Sequence, residues 1–272
     1  MARGHIEFIQ EQDIPWKPLF ARGWHIESLA TQGEGVQIKT LSIDNETKAC
    51  SLLMKLPAGF RREEGHYTTA EEMYILEGDL TVGGAYYRRG FYSYLPAYET
   101  QGAWQSRDGC TILVFYNDGP PIFTKGNAPT DQQTKHEERI VLDTEHIDWS
   151  PTTIPGPPPL IGHKILRFNK ETKAMTFLCA CVPMWDYPKI EYHDCVEEVY
   201  CIVGDIWLGN SGTMTPGSYF WRPPYYAHGP FYSKEGIAFF AHTDGELINH
   251  YIDDPNRTPE QNRLEAIAKQ NT

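Results

Sequence analysis

Short apolar and aromatic runs alternate with polar breaks rich in Gly and Pro, and the whole pattern occurs twice along the chain. Lys48–Leu56 and Lys173–Val182 are apolar-rich runs. Glu72–Leu76 and Glu198–Val203 are β-branched and aromatic, and each leads into a Gly-Asp turn, Gly78-Asp79 and Gly204-Asp205. Thr111–Tyr116 and Ile237–His242 are near-continuous apolar runs, the pattern of strands covered on both faces. All of these are predicted strands. Gly119–Glu138, with its Pro120-Pro121 pair, reads as a linker, and Gly156 to Pro159 as a stiff extended loop. One helix is predicted, from Pro259 to about Lys269. It starts at a capping box, Thr258-Pro259-Glu260-Gln261, with Pro at the first helical position, and is expected to pack on a barrel.

The two halves match each other at an offset of about 126 residues. Glu46-Thr47-Lys48-Ala49 returns as Glu171-Thr172-Lys173-Ala174, Glu71-Glu72 as Glu197-Glu198, and Gly78-Asp79 as Gly204-Asp205. Gly90 and Pro96 return as Gly217 and Pro223, and the lead-in around Trp16 and Pro18 returns around Trp149 and Pro151. The matches keep their order with almost no drift. A period this long is not that of a solenoid, and two copies do not make a propeller, so two tandem domains are expected, 1–125 and 126–272.

Composition narrows the class. In 272 residues there are 23 Gly and 20 Pro, and 13% of positions are aromatic, which suits an all-β protein. The formal net charge of −12 repels phosphate backbones and argues against a nucleic-acid partner. No stretch approaches the ~20 apolar residues that span a bilayer, and Met1 to Gln10 has no apolar run of signal-peptide type. A cytoplasmic protein without membrane association is expected. Its six cysteines, Cys50, Cys110, Cys179, Cys181, Cys195 and Cys201, are expected to be reduced and mostly buried.

Candidate chemistry concentrates in the second copy. Glu191 and His193 are two apart, so on a strand they share a face. Glu197 follows after three residues and Gly204 after six more; Gly217, Pro223 and His228 complete the set. Imidazole and carboxylate are ligands that Zn, Mn, Fe and Ni share. Each residue also has a plainer reading: Glu197-Glu198 as a solvated pair, His228 as a hydrogen-bonding group in a Pro/Tyr-rich loop. Their joint spacing favours a metal site. Cys195 is either a soft ligand or a packed thiol, and the packed thiol is preferred. In the first copy the same spacing selects Glu64, His66, Glu71 and Gln101, where the amide is a poor ligand for a catalytic transition metal.

These motifs resemble those of the cupin family: Gly, His-x-His, three or four residues, Glu, six residues, Gly; then Gly, five residues, Pro-x-Gly, two residues, His. Both copies depart from it by carrying Glu-x-His, and Tyr225 stands at the inner Gly of the second motif. The resemblance implies two tandem jelly-roll β-barrels. It also implies a divalent transition metal, Fe(II) favoured over Zn, Mn or Ni, on His193, Glu197 and His228, with Glu191 as a fourth ligand or a base. Of the aromatics Trp185, Tyr187, Tyr192, Trp207, Tyr219, Trp221, Tyr225, Tyr226, Phe231 and Tyr232, half are expected to point outward and many to be core or inter-domain packing, and the rest to form an apolar cup with phenol handles. Arg222 and Arg167 are candidates to bind a carboxylate or enolate, or else to pair with acidic side chains. Glu191, Arg222 and Tyr225 are the candidate catalytic residues.

The expected function is a metal-dependent enzyme acting on a small phenolic or enolic molecule, with dioxygenase chemistry implied by the resemblance. The alternatives are a redox-neutral lyase, isomerase or hydrolase, and a non-catalytic metal- or ligand-binding bicupin. Strand edges and the family habit point to a homodimer.

Overall fold

The structure is a computed structural model that describes residues 3–19, 35–129, 131–132, 137–151, 156, 158–252, 261, 264–265 and 268. It is all β. The predicted C-terminal helix falls mainly outside the described residues; Gln261, Leu264, Glu265 and Ala268 are helical. Among the described residues no helix is long and apolar enough to cross a membrane.

The chain forms two compact units. The first comprises Met1–Gly4 and Ile14–His146, the second His5–Asp13 and Ile147–Thr272, in place of a single cut at 125/126. In the first barrel the main sheet runs Ile140–Asp143, Phe91–Leu95, Glu71–Val82, Cys110–Tyr116, Cys50–Leu56, Gln37–Ile43, Lys17–Pro18. In the second it runs Ile6–Gln10, Ser218–Arg222, Glu197–Gly204, Ile237–Thr243, Met175–Cys181, Ile161–Phe168, Ser150–Pro151. The order is the same, element for element. The outermost strand of each sheet is the segment that, in sequence, leads into the other barrel.

Local chemistry explains the repeat. In Asp44–Lys48 the Asp44 side chain accepts hydrogen bonds from the backbone N–H groups of Glu46 and Thr47 at 2.8 Å, and Asn169 does the same for Glu171 and Thr172 at 2.9 and 3.0 Å. Each turn closes with a Lys in the left-handed region, Lys48 at φ 66° and Lys173 at φ 64°. Gly78 and Gly204 also have positive φ, and a Cβ there would stand 2.1 and 1.9 Å from the carbonyl oxygens of Gly109 and Gly236. Only glycine fits this approach. The Gly78-Asp79 pair does not end its strand. Glu71–Val82 continues through it, leaving Cys110–Tyr116 and pairing with Ala85–Arg88 and Trp104–Ser106. A left-handed glycine bends a strand from one sheet into the next.

The expected linker contains a strand. Phe123–Lys125 pairs with Gly65–Tyr67, and Phe123 is buried in the core of the first barrel. An apolar side chain inside a Pro-rich segment was the cue that the linker reading passed over. Of the cysteines, all but Cys181 are buried.

Candidate metal centre

Strand pairing brings the second-copy residues together. Glu191 lies in Ile190–Tyr192, and its backbone exchanges two hydrogen bonds of 2.9 Å with His228 across the barrel mouth. His193 follows two residues later, and its carbonyl accepts the Tyr225 N–H at 2.7 Å. That contact needs Tyr225 at φ 65°, where the cupin motif has Gly. Glu197 opens Glu197–Gly204, with its side chain on the opposite face from Glu198. Glu198 is buried and accepts a hydrogen bond from the Tyr219 hydroxyl, so the Glu197-Glu198 pair is not a solvated one.

The donor atoms converge. His193 Nε2 lies 3.9 Å from Glu191 Oε1 and 3.9 Å from Glu197 Oε2; His228 Nε2 lies 3.5 Å from each of the same two oxygens. Donors sharing one ion at about 2.1 Å in a tetrahedron stand about 3.4 Å apart. His193 Nε2 and Glu197 Oε2 are buried without a hydrogen-bond partner. Orphaned buried polar atoms cost on the order of 1–3 kcal/mol each. Ligand atoms of Glu191, His193 and His228 lie within 4.8 Å of one another, and Glu197 stands within 3.9 Å of both imidazoles. A cation among them removes that cost, so the residues present fit a metal ion.

Three of the four donors are oriented from behind. His193 Nδ1 is 3.2 Å from the Ile248 carbonyl and His228 Nδ1 is 3.2 Å from the Tyr226 carbonyl, so each ring donates there and turns its Nε2 lone pair inward. Asn249 donates to Glu191 Oε2 at 3.0 Å, leaving Oε1 for the centre. Burial, with help from Arg222, holds His228 down at a pKa of about 3, so its imidazole is neutral and available as a ligand. Burial raises the Glu191 carboxyl above its usual range, opposed by His193 and Arg222.

The cluster forms the polar end of a cavity of about 90 Å³ in the second barrel. The remaining wall is mostly apolar, with Phe177, Trp185, Ile206, Phe220, Phe231 and Leu247 contributing. Sequence reasoning missed two polar residues on this wall, Asn249 and His163. His163 Nδ1 is buried without a hydrogen-bond partner, and burial lowers its pKa to about 4. Its place in an apolar strand was the available signal. Arg222 also lines the cavity and is 1% exposed.

Other expectations require correction. Tyr225 is 68% exposed and does not line the cavity, because the left-handed backbone that serves His193 turns its side chain to solvent. Trp185 and Phe231 do line it, but no tyrosine among the described residues does, so phenol handles are not found on this wall. Arg167, on the Ile161–Phe168 strand, is not on the wall. Cys195 packs in the core, where burial pushes its thiol up to about 12.

In the first barrel two of the expected ligands, Glu64 and His66, are one residue out of register, whereas Glu71 and Gln101 are in place. Gly65 and Gln101 exchange the backbone hydrogen bonds that Glu191 and His228 exchange, at 3.1 and 2.8 Å, and the Tyr67 carbonyl accepts the Tyr98 N–H at 2.8 Å as His193 accepts that of Tyr225. The counterparts of Glu191, His193, Glu197 and His228 are therefore Gly65, Tyr67, Glu71 and Gln101. Glu64 is exposed, and His66 points to the other face of its strand, its Nδ1 3.2 Å from the Gly126 carbonyl. Spacing alone does not detect a one-residue slip, yet a slip of one reverses every side chain. A buried guanidinium stands among these residues. Arg62 donates to the Gln101 amide oxygen and, at 3.4 Å, to the Tyr67 hydroxyl, and lies 3.8 Å from the Trp104 ring centre. Gln101 donates to Glu71 at 3.1 Å and Tyr116 to Glu71 at 2.8 Å. A protein cation and its hydrogen-bond network stand where the second barrel has its cluster of converging donors.

Comparison with known proteins agrees with this architecture. Residues 6–119 match the family model of the ChrR cupin-like domain, and residues 116–250 match a domain of unknown function, DUF4437. No curated protein sequence matches the chain. Among solved structures, a Nostoc punctiforme protein provisionally assigned as a dioxygenase is similar over 91% of this chain and 86% of its own, with 19% identity and a TM-score of 0.77. An oxalate decarboxylase is similar over 92% and 80%, with 12% identity and a TM-score of 0.58. The Bacillus subtilis oxalate decarboxylase, in a structure concerned with its Mn(II) centres, covers the same shares at 12% identity and a TM-score of 0.55. At these identities the likeness is one of fold. Two barrels of the same strand order, the first matching a cupin-like family model, give the chain the fold of a cupin-superfamily bicupin.

Proposed function

We propose that the second barrel holds one divalent transition-metal ion on His193, His228, Glu197 and Glu191, and that it acts as an enzyme on a small organic molecule in the adjoining cavity. The observation that carries this reading is the convergence of four donors on the wall of a mostly apolar cavity, three of them held from behind and two with orphaned, buried atoms. When bound, the ion supplies Lewis-acid polarisation of a substrate oxygen and, if redox-active, a path for electrons to O₂. The protein supplies the rest. The Ile248 and Tyr226 carbonyls fix the imidazole tautomers. Asn249 keeps Glu191 Oε2 occupied, and that carboxylate is either a fourth ligand or a proton carrier. The aromatic and aliphatic wall keeps water from the reacting atoms.

Fe(II) and dioxygenase chemistry are the first reading, supported by the broad likeness to the Nostoc punctiforme protein. A redox-neutral reaction is the second. Two carboxylates and two neutral imidazoles balance the charge of any dication, and this suits Mn or Zn as well as iron. Elemental analysis and an oxygen electrode separate the readings. Iron in the purified protein with substrate-dependent O₂ uptake supports the oxygenase. Turnover under argon with Mn or Zn supports the redox-neutral enzyme. Protein that holds no transition metal at micromolar supply refutes both.

A further inference from the structure

We propose that the substrate of this site is a small carboxylic acid, its carboxylate anchored by Arg222. The proposal rests on the metal-site reading for the position of the substrate's second oxygen; the part of Arg222 stands on its own observations. Arg222 is 1% exposed, and its Nε, Nη1 and Nη2 are all buried without a hydrogen-bond partner. The nearest opposite charge in an ion pair is Glu7 Oε1 at 3.6 Å, beyond hydrogen-bond reach, while Glu7 gives its other oxygen to the Tyr226 hydroxyl. The guanidinium plane is held by Phe220, whose ring centre is 3.9 Å from Cζ. Glu197, Glu7 and Glu191 offset its charge, but its N–H groups remain without acceptors, which is costly in a buried place unless an acceptor arrives. Its fork of donors matches a carboxylate in two parallel hydrogen bonds.

Position adds to the argument. Arg222 lines the same cavity as the four metal-site residues, and its strand pairs residue for residue with that of Glu197. A molecule held there at one end presents its neighbouring oxygen to the donor cluster. Size sets the remainder. About 90 Å³ of mostly apolar space suits small acids, of about two to four carbons. The class is thus short-chain acids bearing a keto, enol or hydroxyl oxygen one or two carbons from the carboxylate. In the first barrel the residue at the Arg222 pairing position opposite Glu71 is Leu95, which has no such function.

Calorimetric titration tests this with four probes: pyruvate, 2-oxobutanoate and the matching neutral amides, pyruvamide and 2-oxobutanamide. Each is titrated into the protein as purified, metal-loaded and chelator-treated, in wild type, Arg222→Met, Arg222→Lys and Glu7→Gln. At least one acid is expected to bind wild type, its amide about 10- to 100-fold more weakly. Arg222→Met should lose acid binding by a similar factor, and Arg222→Lys should lose part of it. Glu7→Gln should bind acids as well or better, and the melting temperature of Arg222→Met should not fall. Metal content, measured in parallel, should be unchanged in Arg222→Met. Absence of acid binding in every state of wild type overturns the proposal, as do equal binding of acid and amide or full binding by Arg222→Met. A melting temperature that falls alike in Arg222→Met and Glu7→Gln makes Arg222 a structural partner of Glu7 and also overturns it. If wild type holds no metal yet binds acids through Arg222, the metal reading fails while this one survives.

Discussion

Asn249 and His163 show how much of the second barrel is decided by single side chains that touch no reacting atom directly. Asn249 takes one oxygen of Glu191 out of the centre and holds the other in it, at a cost of one hydrogen bond of 3.0 Å. Asn249→Leu keeps the volume and removes that hold, so metal affinity should fall about 10- to 100-fold, read by competition against a chromophoric chelator. Unchanged affinity would show that Glu191 is placed by its backbone alone. His163 acts on stability. Its folded pKa, about 4, lies below its ordinary value of 6.5 because burial opposes the charged ring. Between those values the unfolded chain binds a proton that the folded chain does not, so stability falls as pH drops through that window and levels off below it. His163→Phe, measured on chelator-treated protein, should remove a part of the acid-side loss on the order of 2 kcal/mol. A variant with the same pH slope as wild type would show that the ring finds a proton acceptor in solution.

Strands set what those residues meet, and here the reach of sequence pattern has a physical limit. The apolar runs around Cys50–Leu56, Cys110–Tyr116, Met175–Cys181 and Ile237–Thr243 were legible because both faces are covered and almost every position is apolar. The second-copy donors were legible because their spacing is undisturbed. Glu64 and His66 misled because they satisfy the motif spacing one residue out of register, and only cross-strand hydrogen bonds reveal which residue faces inward. Arg222 was legible as a candidate anion binder from its place before Pro223, whereas Arg62 has no motif to mark it. Edge strands were not legible at all. Ile6–Gln10 is half-buried at every position, which carries no record of its partner, yet it pairs with Ser218–Arg222 and places Glu7 beside Arg222. Ile9→Pro should therefore disturb the second barrel, although residue 9 precedes the first in sequence. Proline removes a ladder N–H and restricts the chain. Hydrogen exchange should quicken in Ser218–Arg222 and stay slow in Phe91–Leu95. The reverse pattern would assign the opening strand to the first barrel.

Considered whole, the molecule is one fold used twice with two solutions to the same electrostatic problem. Each barrel places a largely enclosed glutamate at the start of an inner strand, Glu71 or Glu197, and each must neutralise it. The first does so with Arg62, Gln101 and Tyr116, a network in which each group has a partner. Burial still raises the Glu71 carboxyl above its usual range, with Arg62 pulling it back. The second keeps four converging donors and a cavity, which invite an external cation. A dication in the first barrel would have to share its position with a guanidinium, and two positive charges there repel strongly at low dielectric. Metal should therefore bind at about one equivalent per chain, in the second barrel alone. His228→Ala should reduce it to a small fraction of an equivalent without changing the first barrel. Gln101→Ala should leave the equivalent in place but lower stability by about 1–3 kcal/mol, since Arg62 and Glu71 each lose a buried partner. Elemental analysis with chemical denaturation on the two variants reads both effects. Two equivalents in wild type, or one persisting in His228→Ala, would mean that Arg62 yields to metal and that the two barrels share one chemistry after all.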